Sequence, residues 1–388
     1  MLVLKKIAVI LSLFLLTFSS YTTVFAKTDS KLALKSESAV LLDSETNSVL
    51  YSKEADKKMY PASLTKIATA IYAIEKGNLD SIATISANAV RQDGTRVYLV
   101  EGEKMPLKQL VQGMLINSGN DAAVAIAEQM DGSVEQFANH LNDYLKTTVG
   151  VQHTHFTNPS GLFDKNHYTT AKDMALMTNY AMKNPIFAEI FGTKKLHWKG
   201  KSWETNLLSH HKMLIGELPY SGITGGKTGY TTESRQTLST TADNGKIKLT
   251  AVVLKSDMKR DKYDDTALLF DYGFKSFKNS SIKQGELFKS GEKEFFPEHD
   301  LLVTEDVLGS TKEISDKGIL SIKNHQGKIL QAVQLKLVEP EPVPIPEKNT
   351  ESKEKEHSGN QMNVFYGLIM MALAAVVVGT VKKFSANS

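Results

Sequence analysis

Strand-forming runs stand at both ends of the central part of this chain with helical periodicity between them, and that order limits the fold more than any other feature. Residues 39–42 (AVLL) and 49–51 (VLY) are short apolar runs flanking DSETNS, the pattern of a hairpin. Residues 237–241 and 248–254 are again β-rich and are separated by Asp243-Asn244-Gly245, a second hairpin turn. Between these lies LTKIATAIYAIEK, which follows Pro61-Ala62-Ser63, carries Ala and Ile at helical spacing and stops at Gly77. Two further amphipathic stretches, LKQLVQGMLI from Leu107 and DAAVAIAEQM from Asp121, are joined by Asn117-Ser118-Gly119-Asn120. Strands at both ends with helices between predict an α+β fold with an antiparallel sheet packed against helices, not alternating βαβ units. From about Phe277 to Leu337 the helical signal fades and residues 318–322 and 329–338 read as strands, which predicts a separate small β domain over 276–337.

The chain's two ends concern its location. Lys5 and Lys6 precede an apolar run over 7–18, and Val24-Phe25-Ala26 ends on a small residue, the pattern of a signal peptide over 1–26. The alternative is an uncleaved N-terminal anchor, for which the run is short. Residues 364–381 (VFYGLIMMALAAVVVGTV) carry no charge and are followed by Lys382-Lys383, so 362–383 reads as a transmembrane anchor with its lysines in the cytoplasm. A helix lying flat on the bilayer would need a charged face that this segment lacks. Residues 338–361, beginning VEPEPVPIPEKNTESKEKE, read as an extended stalk. The body, 27–275 plus the β domain, is thus expected outside the cell membrane, tethered by a single span.

Cysteine is absent, so disulfides, thiolate nucleophiles and Cys-ligated metals drop out together. A formal net charge of +3 over 388 residues comes from nearly balanced totals and gives no reason to expect a nucleic-acid partner. Hydroxyls, amines and carboxylates remain for chemistry. Ser63-Leu64-Thr65-Lys66 spaces a hydroxyl and an amine by about one helical turn, so both project from one face. A serine nucleophile needs a base, and burial or a neighbouring cation supplies one by making the neutral lysine accessible. Alone the motif is weak, since Ser-x-x-Lys recurs at Ser209, Ser256, Ser280, Ser290 and Ser352. The first copy differs in opening a helix, and in being followed in order by Ser118-Gly119-Asn120 and Lys227-Thr228-Gly229. Residues 225–231 read as a strand whose glycines let a ligand backbone approach. His153 with His155 and His210 with His211 invite a metal reading, but no His-Glu-x-x-His is present; they read as polar surface, with no metal site expected.

Pro61-Ala62-Ser63-Leu64-Thr65-Lys66, Ser118-Gly119-Asn120-Asp121-Ala122-Ala123, Asn158-Pro159-Ser160-Gly161-Leu162 and Lys227-Thr228-Gly229-Tyr230-Thr231 together resemble the D-alanyl-D-alanine carboxypeptidase family of low-molecular-mass penicillin-binding proteins, over about residues 39–274. The resemblance implies the penicillin-recognising serine acyl-enzyme fold, with a small C-terminal β domain and no cofactor. It implies that Ser63 attacks the peptide bond between two terminal D-alanines of a peptidoglycan stem peptide while Lys66 takes its proton. Ser118 would relay protons to the leaving amine, Asn120 would orient the substrate amide, and Lys227 and Thr228 would hold the terminal carboxylate. Gly229 and Tyr230 would complete the substrate strand, with the Ser63 and Tyr230 amides as oxyanion donors and β-lactams as inhibitors. One departure is Ser234-Arg235, where the family often has Ala-Gly. A β-lactamase would need a deacylating glutamate. Glu135 lies close behind Asn120, with Ala138 where that family has leucine, and reads as an exposed helix residue. A DD-endopeptidase or transpeptidase would use the same residues, and a non-catalytic wall-binding protein on this fold is the remaining alternative.

Overall fold

β1 (Ser38–Asp43) is buried along its whole length because both of its faces are apolar. Side chains alternate across a strand, so Val40 and Leu42 enter one hydrophobic core while Ala39 and Leu41 enter another. The computed structural model describes residues 32–339, and in it β1 is the second strand of a five-stranded sheet completed by β2 (Val49–Lys53), β3 (Ile223–Thr231), β4 (Arg235–Asp243) and β5 (Lys248–Ser256). The order is β2-β1-β5-β4-β3 and every pairing is antiparallel. Both hairpins expected from the sequence form, and they join through β1 and β5, where Val40 faces Val252 and Leu41 faces Ala251.

One face of the sheet carries the helices that the middle of the chain supplies: α1 (Thr65–Lys76), α2 (Leu107–Ile116), α3 (Asn120–Asp131), α4 (Val134–Tyr144), α5 (Ala171–Met182) and α6 (Pro185–Phe191). The other face is covered by α7 (Asp261–Ser276), whose Tyr263, Leu269 and Phe270 meet Leu249, Ala251 and Val253 of β5. α1 is the centre of the helical layer. Its residues from Thr65 to Ile74 are all buried, and a helix apolar nearly all round belongs inside a protein. Ala68, Ala70 and Ala73 let its neighbours approach. Gly77 ends α1 in an extended conformation, not a left-handed one. Glycine is needed there because a Cβ would lie 2.6 Å from the Ala73 carbonyl oxygen and 2.7 Å from Leu107 Cδ2. Glu135 is exposed in the first turn of α4, as the sequence reading had it.

Strand Phe277–Ile282 leaves α7 directly and pairs with Leu301–Asp306; a three-stranded meander, Thr311–Ile314, Ile319–Lys323 and Ile329–Gln334, follows. These strands enclose a small core of Ile282, Phe295, Val303, Leu320, Ile322 and Leu335. Asp43 ties this unit to the sheet: its Oδ2 accepts from Asn279 Nδ2 at 2.6 Å and Thr304 Oγ1 at 2.8 Å, while its Oδ1 accepts the Glu45 and Thr46 amides. The leader over 1–26 and the anchor over 362–383 lie outside the described residues, as does the stalk beyond its first two positions. Among the described residues no helix is long and apolar enough to cross a membrane.

Removing a buried carboxylate that satisfies several donors leaves them unpaired, at roughly 1–3 kcal/mol each. Asp43→Ala is therefore expected to lower the melting temperature and to split calorimetric unfolding, with strands 277–337 melting first. A single unshifted transition would show that this tie is dispensable.

Candidate active site

The buried amine of Lys66 is the centre of the site. It is carried on the first turn of α1 and is fully buried. Its Nζ lies 3.0 Å from Ser63 Oγ, 2.7 Å from Asn120 Oδ1 and 2.7 Å from the Ser160 carbonyl oxygen. Asn120 Nδ2 donates to the Asp93 carbonyl at 2.6 Å, which fixes its Oδ1 toward the lysine. Two of the three neighbours can only accept. A neutral amine has two N–H groups for them and a lone pair left for the Ser63 hydroxyl. Burial holds the Lys66 pKa well below its ordinary value; the Lys227 cation pushes the same way and Asp121 opposes it.

Ser63 sits on a 3₁₀ turn, Ala62–Leu64, that leads into α1. Ala62 is in the left-handed region at φ 50°, a conformation costly for a residue with a Cβ. Three contacts hold the turn: Thr65 Oγ1 donates to the Ala62 carbonyl at 2.9 Å, Thr237 Oγ1 of β4 donates to the Pro61 carbonyl at 3.0 Å, and Gly161 packs against the Ala62 oxygen. Residues 158–162 form a tight loop around Asn158, whose Oδ1 accepts the Ser160 and Gly161 amides and whose Nδ2 donates to the Leu162 carbonyl. That loop presents the Ser160 carbonyl to Lys66.

The connector between α2 and α3 supplies Ser118, at φ 63°, and Asn120, the first residue of α3. Asp121 beside it accepts the Val97 and Leu99 amides and anchors the loop carrying Thr95. From β3, Lys227 Nζ donates to Ser118 Oγ at 2.9 Å and to the Thr228 carbonyl at 3.0 Å. Burial and the Lys262 cation bring the Lys227 pKa down to about 7. A cleft of about 370 Å³ is lined by Ser63, Ser118, Thr228, Gly229 and Tyr230. All eight residues singled out from the sequence thus meet here, through hydrogen bonds or as cleft walls.

Some expectations need correction. The glycines of β3 do not leave room for a ligand. A Cβ on Gly225 would meet Phe191 at 2.4 Å, one on Gly226 would meet His211 at 2.3 Å, and one on Gly229 would meet Thr237 Oγ1 at 2.3 Å, so the protein's own side chains fill those spaces. His211 is not on the surface. It is buried, with Nε2 2.7 Å from Thr240 Oγ1 and Nδ1 accepting the Leu214 amide, because it caps the turn Lys212–Ile215 beneath β3. Sequence reasoning also missed Lys262, which lines the cleft, is buried, donates to Gln236 Oε1 at 2.9 Å and has its pKa lowered to about 8 by burial and Lys259. In its run KRDKYDD it looks like part of a solvated helix face. At the departure, Ser234 Oγ accepts the Thr231 amide and Arg235 takes a left-handed φ of 55°, the conformation that favours the glycine often found there.

An antiparallel sheet between helical layers, with Ser63, Lys66, Ser118, Asn120 and Lys227 around one cleft, defines the penicillin-recognising serine acyl-enzyme fold. The D-alanyl-D-alanine carboxypeptidase family matches residues 25–258, and this chain belongs to it. The chain is 32% identical over 351 residues to D-alanyl-D-alanine carboxypeptidase DacF of Bacillus subtilis, covering 84% of this chain and 88% of that protein. A solved D-alanyl-D-alanine carboxypeptidase from Mycobacterium tuberculosis is 27% identical with a TM-score of 0.60, covering 64% of this chain and 95% of that one. The carboxypeptidase DacD from Francisella tularensis, at 22% identity and a TM-score of 0.69 over 80% of this chain and 95% of that one, shares the fold.

Gly161 is at φ +83°, and a Cβ there would lie 1.9 Å from the Ala62 carbonyl oxygen. Gly161→Ala should displace the turn under Ser63 and cost at least about 2 kcal/mol. Thermal denaturation of the variant, with fluorescent-penicillin labelling per folded molecule, checks both effects.

Proposed function

We propose that Ser63 is the nucleophile and Lys66 the general base of a serine D-Ala-D-Ala carboxypeptidase acting on peptidoglycan stem peptides. The observation that carries this reading is the environment of Lys66: two obligate acceptors and one hydroxyl around a desolvated amine. In its neutral form Lys66 can turn a lone pair to the Ser63 hydroxyl, 3.0 Å away. The hydroxyl proton passes to Lys66 as Oγ attacks the carbonyl carbon of the penultimate D-alanine, and the oxyanion forms against the Ser63 and Tyr230 amides. The C–N bond then breaks, and the leaving amine of the terminal D-alanine takes a proton through Ser118. Water hydrolyses the ester, the proton it gives up returning through Lys66, and Ser63 is regenerated. Asn120 both orients the substrate amide and holds Lys66.

Lys227 and Thr228 bind the terminal carboxylate, a charge-assisted contact that selects a free C-terminus; Gly229 and Tyr230 line the strand along which the peptide lies. Penicillin acylates the same serine, its strained amide standing in for the D-Ala-D-Ala bond. The body divides into a catalytic domain over 27–275 and a β domain over 276–337. It works outside the cell membrane, exported by the leader over 1–26 and held through the stalk by the span over 362–383; the distribution of apolar and charged residues supports this placement.

The test is release of D-alanine from a pentapeptide ending in D-Ala-D-Ala by the detergent-solubilised full chain. Release that is lost in Ser63→Ala is expected. Penicillin binding without release would move the reading to an endopeptidase, a transpeptidase or a binding protein. The lysines set the pH profile. Lys66 must be neutral, so kcat/KM rises with pH as it loses its proton. Lys227 must be charged, so in the free enzyme kcat/KM falls again above about pH 7. A plateau extending to pH 10 would show that Lys227 keeps its charge well above about pH 7; loss of substrate binding in Lys227→Ala, with acylation chemistry retained, checks its place at the carboxylate. Lys66→Ala should fold and lose acylation.

A further inference from the structure

His167 is a buried titratable group to which the chemistry above gives no task. Its Nδ1 lies 3.1 Å from the Thr157 amide, which can only donate, so Nδ1 is the acceptor and Nε2 carries the proton. Nε2 lies 2.8 Å from Thr65 Oγ1, and Thr65 Oγ1 in turn donates to the Ala62 carbonyl at 2.9 Å. Each step has one direction: Thr157 N–H to His167, His167 N–H to Thr65, Thr65 O–H to Ala62. The ring is stacked on Phe156 at 4.8 Å and is 2% exposed. Burial keeps it neutral, with its pKa at about 3, so the direction of the relay holds at working pH.

The carbonyl at the end of this relay shares a peptide plane with the Ser63 N–H. In a trans peptide the two point in opposite directions, and the described residues contain no cis peptide. Fixing the Ala62 oxygen therefore fixes the direction of the Ser63 N–H. This plane needs fixing, because Ala62 is held in a left-handed conformation that is unfavourable for a residue with a Cβ.

We infer that His167 is a positioning residue for the oxyanion hole: through Thr65 it grips the Ala62 carbonyl and so aims the Ser63 amide at the developing oxyanion. The inference rests on Ser63 being the nucleophile. It is tested by penicillin acylation of the full chain, separating the non-covalent dissociation constant from the acylation rate constant, with rates counted per titratable active site. His167→Leu and Thr65→Val each break the relay, and each is expected to slow acylation about 10- to 100-fold, short of the loss of a whole donor, with the dissociation constant nearly unchanged. His167→Gln, whose amide N–H can replace Nε2–H, should recover part of the rate. The double variant Thr65→Val with His167→Leu should be no slower than either single one, since both cut the same chain. A merely structural histidine would change melting temperature and active fraction and leave the rate per active site alone. That result, or additive losses, or a glutamine variant no better than leucine, overturns the inference. If His167→Leu does not fold, Thr65→Val carries the test by itself: an unchanged rate in that variant refutes the relay. Failure of the wild-type protein to be acylated at Ser63 would instead overturn the assignment of the nucleophile.

Discussion

Desolvation of one amine organises this molecule. Lys66 can act as a base only if its charged form is penalised, and the penalty comes from α1 being buried on every side around its first two turns. Asp121 is close enough to favour the ammonium, yet its carboxylate is already engaged by the Val97, Leu99 and Ala122 amides. Those dipoles disperse its charge and limit its pull on Lys66. Lys227 opposes it from the other side. The lowered pKa of Lys66 thus follows from a balance in which burial is the largest contribution and the two charges partly cancel.

The fold exists to bring three distant stretches to that amine. Ser63 comes from the 3₁₀ turn that leads into α1, Ser118 and Asn120 from the connector between two helices, and Lys227 from β3 at the edge of the five-stranded sheet. An edge strand presents unpaired backbone groups, and here the edge faces the cleft, where an extended peptide can lie against it. β3 and β4 are pinned to the turn carrying Ser63 through Thr237, which donates to the Pro61 carbonyl, and through Gly229, which lets the strand close on Ala62. Errors in sheet register would therefore be felt directly at Ser63.

Most of this was legible where a residue's chemistry acts locally. Helix α2 begins and ends where its apolar period says, and the Asp243-Asn244-Gly245 turn connects β4 to β5. The motif residues gather because their spacing on helix, connector and strand reflects one site. What escaped reading depends on contacts between segments far apart in the chain. Nothing in GGKTG tells whether its glycines face a ligand or Phe191, His211 and Thr237. His211 looks like a surface residue until β3 is laid over it. Lys262 stands among charges in the sequence, and only the packing of α7 against β4 turns it inward to Gln236. The carbonyl of Ser160 has no side-chain signature at all.

Lys66, Lys227 and Lys262 make the cleft a place of stored electrostatic tension. Each has a folded-state pKa below that of the unfolded chain, near 10.5; Lys227 is at about 7 and Lys262 at about 8. Between those values and about 10.5 the unfolded state binds protons that the folded state does not, so stability rises with pH across that window, and at neutral pH the lysines work against the fold. Apolar residues in these positions would relieve the desolvation but could neither take a proton from Ser63 nor attract an anion. On the proposed placement of the terminal carboxylate at Lys227 and Thr228, substrate binding would supply the missing counter-charge. It would raise the pKa of Lys227, favour its ammonium form, and offset the repulsion from Lys262. An anion bound beside Lys227 would relieve the repulsion among these lysines, which is why the proposed carboxylate site and the lowered lysine pKa values belong to one arrangement.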